Sequence, residues 1–333
     1  MLKLPPFNIL RPRNRDELNA GITGCKDEFK FLGGGTDLIN GMKKRLYPAS
    51  VLVSLKRVES LSSIIYDQSS DQLKIGATTT LTELAASSEI MNFQPAIAAA
   101  IASIAAPPIR NQATIGGNLS LDTRCYYYNQ SQSWRKLAPV CYKCGGEVCN
   151  AAPGSKECRA VFSADLPPLL IALQAEITIA SGGKTRTIPL SDFYTGSGVK
   201  PNILQQDEYL LGITLNNLKN RNSLYRKFRL RKALDFPLAG IALAFDDNHE
   251  GKFINPIIVL NAVASSPLIL SEAARQLDGK NFNDADAIQA VAEAAMAAAK
   301  PIANIGSKPF YRKKMIGMLF KKMAAELAAG QEA

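Results

Sequence analysis

The sequence predicts a mixed α and β fold in two units, a larger N-terminal one of alternating strands and helices and a smaller α+β one. Three observations carry this. Short apolar runs alternate with apolar-periodic segments through the N-terminal third. A polar stretch, LNNLKNRNS, breaks the pattern near Lys219. Beyond it, strand-like runs come first and Ala-rich helical runs last. With 333 residues, 47% hydrophobic and 20% charged, the chain has enough surface to bury for two domains.

The elements follow in order. Phe29–Leu32 (FKFL) reads as a strand, GGGTD as a turn, and LINGMKKRL as a helix. Ala49–Leu55 and Leu73–Ala77 are further strands, and Thr80 to Glu83 opens a helix as a capping box. An Ala/Ile-rich helix over Pro95–Ala106 stops at Pro107-Pro108. LPPLLIAL begins another helix, and AEITIA, TRTIPL and YLLGITL alternate as strands. In the second unit SLYRKFRLRK, PLAGIALAF and NPIIVLNAVA are strands, and helices fill Ser271–Lys300 and Lys308–Ala329.

No apolar run reaches membrane-span length, and the first residues lack the apolar core of a secretory signal, so a cytoplasmic protein is expected. The net charge of +10 is dispersed, with no aromatic-studded basic stripe, which argues against nucleic acid.

Five of the six cysteines crowd one segment: Cys125, Cys141, Cys144, Cys149 and Cys158. Thiolates at this density form disulfides, hold zinc, or hold an iron–sulfur cluster. The segment has no His, and only Cys141-x2-Cys144 makes a zinc-type knuckle. Cys25 lies far away in a polar turn, as a bystander.

Two glycine clusters add a second signal. Gly33-Gly34-Gly35-Thr36-Asp37 sits between a strand and a helix, where backbone N–H groups can face a phosphate. It is not a Walker loop, and Leu38 replaces the third glycine of a Rossmann fingerprint. The other cluster is Thr114-Ile115-Gly116-Gly117-Asn118. Each alone is an ordinary strand–turn connection; together they can grip a pyrophosphate from both sides, which points to a dinucleotide.

FLGGGTDL, PPIRNQATIGGNL and ADLPPLL, in this order, resemble the FAD-binding subunit of the xanthine dehydrogenase and molybdenum hydroxylase family, over nearly the whole chain. Between Asn118 and Asp165 lie roughly 40 residues more than a connecting loop needs, and they contain all five clustered cysteines. This insertion, about 122–160, resembles the branch of 4-hydroxybenzoyl-CoA reductase, whose flavin subunit carries a 4Fe–4S cluster.

The resemblance implies a vanillyl-alcohol-oxidase (PCMH) type FAD domain of two α/β subdomains at 1–218, then an α+β C-terminal domain at 219–333. It places the FAD pyrophosphate on Leu32, Gly33, Gly34, Gly35, Thr36, Asp37, Leu38 and Ile39, and on Thr114, Ile115, Gly116, Gly117 and Asn118. It adds Ile104 and Leu210 near the isoalloxazine, Asp165 as a flavin-site carboxylate, and Lys227 as a lysine reaching the cofactor. As bare residues these four read as two core positions, a helix cap and a solvated lysine. The cluster ligands implied are Cys125, Cys141, Cys149 and Cys158, with Cys144 beside them. Tyr126, Tyr127, Tyr128 and Trp134 are candidates to shield the cluster from water.

No acid–base machinery is visible, and the only histidine, His249, sits in the turn-like DDNHEGK. The chemistry therefore belongs to cofactors. The resemblance implies a relay subunit, joined to a 2Fe–2S subunit and a molybdopterin subunit and duplicated by symmetry. The inserted cluster implies inward flow from a ferredoxin-like donor, for reductive dehydroxylation of an aromatic CoA ester. Two alternatives stand beside this: an oxidising hydroxylase subunit that passes electrons to nicotinamide or a quinone, and a zinc-stabilised nucleotide-binding module.

Overall fold

The structure is a computed structural model and describes residues 2–25, 28–232 and 234–330. The first unit contains Asn8–Leu10 (β1), Arg15–Gly24 (α1), Phe29–Leu32 (β2), Leu38–Lys43 (α2) and Val51–Ser54 (β3). Its three strands form a parallel sheet ordered β1-β3-β2. Parallel pairing requires a crossover between strands, and α1 and α2 supply it. The side chain of Asn14 caps α1 by accepting from the Glu17 amide at 2.8 Å. Leu18 on that helix packs on Phe29, Val51 and Val53.

The second unit contains Ile64–Asp67 (β4), Gln72–Gly76 (β5), Leu81–Ala86 (α3), Ser88–Phe93 (α4), Pro95–Ala102 (α5), Pro107–Arg110 (α6), Ile115–Leu119 (α7), Gln132–Arg135 (α8), Leu166–Ala172 (α9), Glu176–Ser181 (β6), Lys184–Pro189 (β7) and Tyr209–Asn216 (β8). The strands form an antiparallel sheet ordered β4-β5-β8-β6-β7. The capping box at Thr80 and Glu83 is present at the start of α3. The expected helix over 95–106 ends earlier, at Ala102. Pro107-Pro108 opens α6 instead of merely ending α5, because proline's fixed φ and missing N–H suit a first helical turn.

The third unit contains Arg221–Phe228 (β9), Ala239–Asp246 (β10), Ile254–Asn261 (β11), Leu268–Ile269 (β12), Ser271–Leu277 (α10), Ala285–Ala298 (α11) and Pro309–Ala329 (α12). Its antiparallel sheet is ordered β12-β11-β10-β9. The single helical region expected over 271–300 is two helices, since Asp284 starts a second one by capping the Ala287 amide. Strand β10 explains how the units join. Ile241, Leu243 and Phe245 face the helices of this unit, whereas Ala242 and Ala244 face the core around α9. Small residues on that face let α9 lie close against the sheet. Among the described residues no helix is long and apolar enough to cross a membrane.

Candidate functional site

The two glycine clusters, distant in sequence, meet in space. A Cβ on Gly33 would stand 2.8 Å from the Thr114 hydroxyl, and one on Gly34 would overlap the backbone of Gln112 and Ala113. The glycines therefore let the loops interlock. Gly35 has φ +73°, a left-handed conformation that lets the chain turn from β2 into α2. Among the described residues, no backbone carbonyl accepts from the amides of Gly33, Gly34, Gly35, Thr36 or Asp37. A row of free amides suits a phosphate.

The second cluster offers less backbone than expected. The amides of Ile115, Gly116 and Asn118 donate to the carbonyls of Thr79, Ala77 and Thr114, and Gly117 donates to the Thr114 hydroxyl at 3.1 Å. It forms the first turn of α7, so what remains for a ligand is its side chains. Asn118 Oδ1 accepts from the Leu166 amide at 3.3 Å, which leaves Nδ2 as a donor.

That same bond corrects the reading of Asp165 as a helix cap. Asn118 caps α9, and the Asp165 carboxylate makes no cap bond. Asp165 instead receives Lys227 Nζ at 3.0 Å and Tyr225 Oη at 2.8 Å. The Asp165 and Lys227 side chains are only 5% and 3% exposed, so Lys227 is not a solvated lysine. Burial pushes the Asp165 carboxyl up and the Lys227 ammonium down, and each opposes the other's shift. Asn261 Nδ2 completes the network by donating to Tyr225 Oη at 2.9 Å and to the Ala164 carbonyl at 2.8 Å. Tyr225 and Asn261 were missed from sequence; the period-2 placement of Tyr225 and Lys227 on one face of β9 was the available signal. Asn261 Oδ1 and Ser163 Oγ are buried here without a partner among the described residues. Orphaned acceptors and donors beside a buried carboxylate fit a polar ring system.

Ile104 and Leu210 are 8% and 5% exposed and belong to the core of the second unit. The segment after Lys227 reaches Ile104's neighbours, with Arg229 Nη1 donating to the Ser103 carbonyl at 2.7 Å. Leu210, in β8, pairs with Ile179 of β6.

All six cysteines are free. Cys125, Cys141, Cys149 and Cys158 line one cavity of about 20 Å³, together with Tyr127, Tyr128 and Lys143. Cys144 is exposed and does not line it. Among the described residues no three potential ligands are spaced to hold a single metal ion. The cavity has room for about one water molecule. Burial pushes the Cys125 and Cys158 thiols up. Gly145 adopts φ +86°, and a Cβ on Gly146 would overlap the Val140 carbonyl, so both glycines permit the tight turn after Cys144. Tyr128 is buried, but Tyr126 points outward at 62% exposure; Trp134 packs on Tyr127 at 6.2 Å.

The cysteine segment also touches the first glycine cluster. Arg124, beside Cys125, pairs with Asp37 and thereby offsets a carboxylate that would repel a phosphate. Lys44 Nζ donates to the Asn129 carbonyl at 2.9 Å, and Arg135 donates to the carbonyls of Lys44 and Arg45 at 3.1 and 3.0 Å. His249 is exposed in the β10–β11 turn. A groove of about 1110 Å³, lined by Asp71, Glu176, Asn217, Arg221 and Asp246 among others, contains none of the expected site residues.

Residues 5–216 match the family described as the FAD binding domain in molybdopterin dehydrogenase, and residues 223–327 match the CO dehydrogenase flavoprotein C-terminal domain. The chain is 29% identical to the aldehyde oxidoreductase FAD-binding subunit PaoB of Escherichia coli, over 89% of this chain and 92% of that one. It is 26% identical to the carbon monoxide dehydrogenase medium chain of Hydrogenophaga pseudoflava, with 96% of each chain covered. A solved carbon monoxide dehydrogenase from that organism superposes with a TM-score of 0.79 at 25% identity, covering 99% of both chains. The chain belongs to the family of FAD-binding medium subunits of molybdenum hydroxylases of the xanthine and carbon monoxide dehydrogenase type.

Proposed function

We propose that this flavin subunit also carries a 4Fe–4S cluster, held by Cys125, Cys141, Cys149 and Cys158, and relays electrons within a complex containing a 2Fe–2S subunit and a molybdopterin subunit. One observation carries the reading: the four thiols line a common cavity in a segment that packs directly on the first glycine cluster. When bound, FAD supplies exchange between two-electron and one-electron transfer, and the cluster supplies one-electron transfer. The chain's own residues bind and position. The free amides of Gly33–Asp37 and the Asn118 amide group hold the dinucleotide, while Asp165 and Lys227 present a buried polar pair to its ring. We place the FAD domain at 1–218 and the C-terminal domain at 219–333.

The relatives are named as an aldehyde oxidoreductase and as carbon monoxide and xanthine dehydrogenases, which supports an oxidising complex; nicotinamide or a quinone is the acceptor in that reading. The cysteine insertion favours a second reading, reductive dehydroxylation of 4-hydroxybenzoyl-CoA or a similar ester with a ferredoxin-like donor. Anaerobic assays of the purified complex separate them. Aldehyde-dependent reduction of an artificial acceptor is expected. If the complex is inert with aldehydes yet dehydroxylates the CoA ester with reduced ferredoxin, the oxidising reading falls.

Iron and sulfide analysis tests the ligand set. Replacing Cys125, Cys141, Cys149 or Cys158 with Ala is expected to remove most iron, and Cys144→Ala to keep it. FAD is expected to stay in all five, because Arg124 and Arg135 still hold the segment to the residues flanking α2. Iron lost from Cys144→Ala but kept in one of the others would show the assignment wrong. Zinc in place of iron in every variant would end the relay reading.

A further inference from the structure

We propose that Lys143 is the positioning cation of the cysteine site, gathering its ligand-bearing segments and setting the cluster's reduction potential upward by its charge. This rests on the reading that the four thiols hold a cluster.

A lysine in Cys141-Tyr142-Lys143-Cys144 would ordinarily be solvated. Here its side chain is 3% exposed and lines the cavity with the four cysteines. All three ammonium hydrogens have an acceptor: Asp122 Oδ1 at 2.5 Å, Thr123 Oγ1 at 2.6 Å and the Gly198 carbonyl at 2.9 Å. The ammonium also lies 5.0 Å from the centre of the Tyr128 ring.

Three segments meet at Gly198. Thr123 Oγ1, two residues before Cys125, donates to it at 2.7 Å, and Lys143, two residues after Cys141, donates as well. Gly198 itself abuts the third segment, since a Cβ there would stand 2.8 Å from Cys158 Sγ. One buried ammonium thus ties the strands of chain that carry Cys125, Cys141 and Cys158.

The charge also lies close to the thiols. The Lys143 side chain lines the cavity with the four cysteines and Asp122 does not, so the lysine stands nearer the thiols than its carboxylate partner does. Asp122 is fixed in turn by the Tyr47 hydroxyl at 3.1 Å. A cation held beside a thiolate cluster stabilises the form with the extra electron, which raises the potential. Removing Lys143 leaves Asp122 as an uncompensated anion near the site and reverses that effect.

The test is an EPR-monitored redox titration of the whole complex, with iron and sulfide counted in each variant. Lys143→Met is expected to lower the cluster's midpoint potential and slow its assembly, and Lys143→Arg to restore part of both. Asp122→Asn is expected to shift the potential upward, since Thr123 and Gly198 still hold the ammonium. If Lys143→Met cannot retain iron, the opposite shift in Asp122→Asn still decides the charge. Wild-type complex without iron overturns the cluster reading and this inference with it. Iron-loaded variants with unshifted potentials overturn this inference alone.

Discussion

Gly34→Val is expected to yield protein without FAD, and Gly34→Ala nearly the same. The overlap begins at Cβ itself, which would sit within the Gln112 carbonyl oxygen, so no side-chain rotamer relieves it. Either the 112–114 backbone moves away or the 33–35 loop does, and each movement separates the two clusters that we propose frame the dinucleotide. Small-to-large strain in a packed interior commonly costs about 1–3 kcal/mol, and a backbone overlap lies above that range. Gly24→Ala is the matched control. It adds the same methyl in α1 where nothing stands within 4 Å, and is expected to leave FAD content unchanged. Flavin absorbance per chain and thermal midpoints decide the matter. Stoichiometric FAD in Gly34→Ala at wild-type stability would show that the interlock does not form the site.

Lys227→Met is expected to destabilise the protein by about 3–5 kcal/mol at neutral pH, because it leaves a buried carboxylate without its cation. The pH dependence follows from Asp165. Burial already pushes that carboxyl up, and the variant removes the ammonium that opposes the rise. A raised carboxyl stabilises the fold below its unfolded pKa of about 3.9, and that contribution is lost as pH rises through the folded value. The deficit should therefore be small near about pH 4 and grow toward neutrality. Lys227→Met combined with Asp165→Asn should recover most of it, since both partners are then neutral. Denaturant midpoints at two pH values provide the measurement; a deficit independent of pH would mean that Asp165 is not the group left exposed to burial.

Much of the fold was legible because its signals are local. Thr80 and Glu83 announced a helix by their spacing, and the strands around Phe29, Leu73 and Ile177 by apolar pattern. The glycine clusters were equally visible as turns. Their purpose was not, since nothing in the residues near Gly34 reveals that Gln112 lies against it. The Asp165 network failed in the same way. Its carboxylate, lysine, tyrosine and asparagine come from the residue before α9, from β9 and from β11, and only the docking of the third sheet on α9 brings them together. Lys143 was hidden by composition, because a basic residue between cysteines reads as solvent-facing until its acceptors are seen.

The base of the cysteine segment bears on ancestry. Arg124 and Val161 exchange both backbone hydrogen bonds, at 2.7 and 2.8 Å, so the chain leaves and re-enters the fold about 5.5 Å apart. A stretch whose ends already touch can be gained or lost in a single genetic event without moving the strands and helices on either side, and closing a longer loop adds little entropy. The thiol-bearing stretch is in that sense a cassette, and its descent is separable from that of the flavin fold that carries it. Kinship measured over the whole chain therefore speaks for the flavin fold, and the history of the thiols has to be traced in the cassette alone.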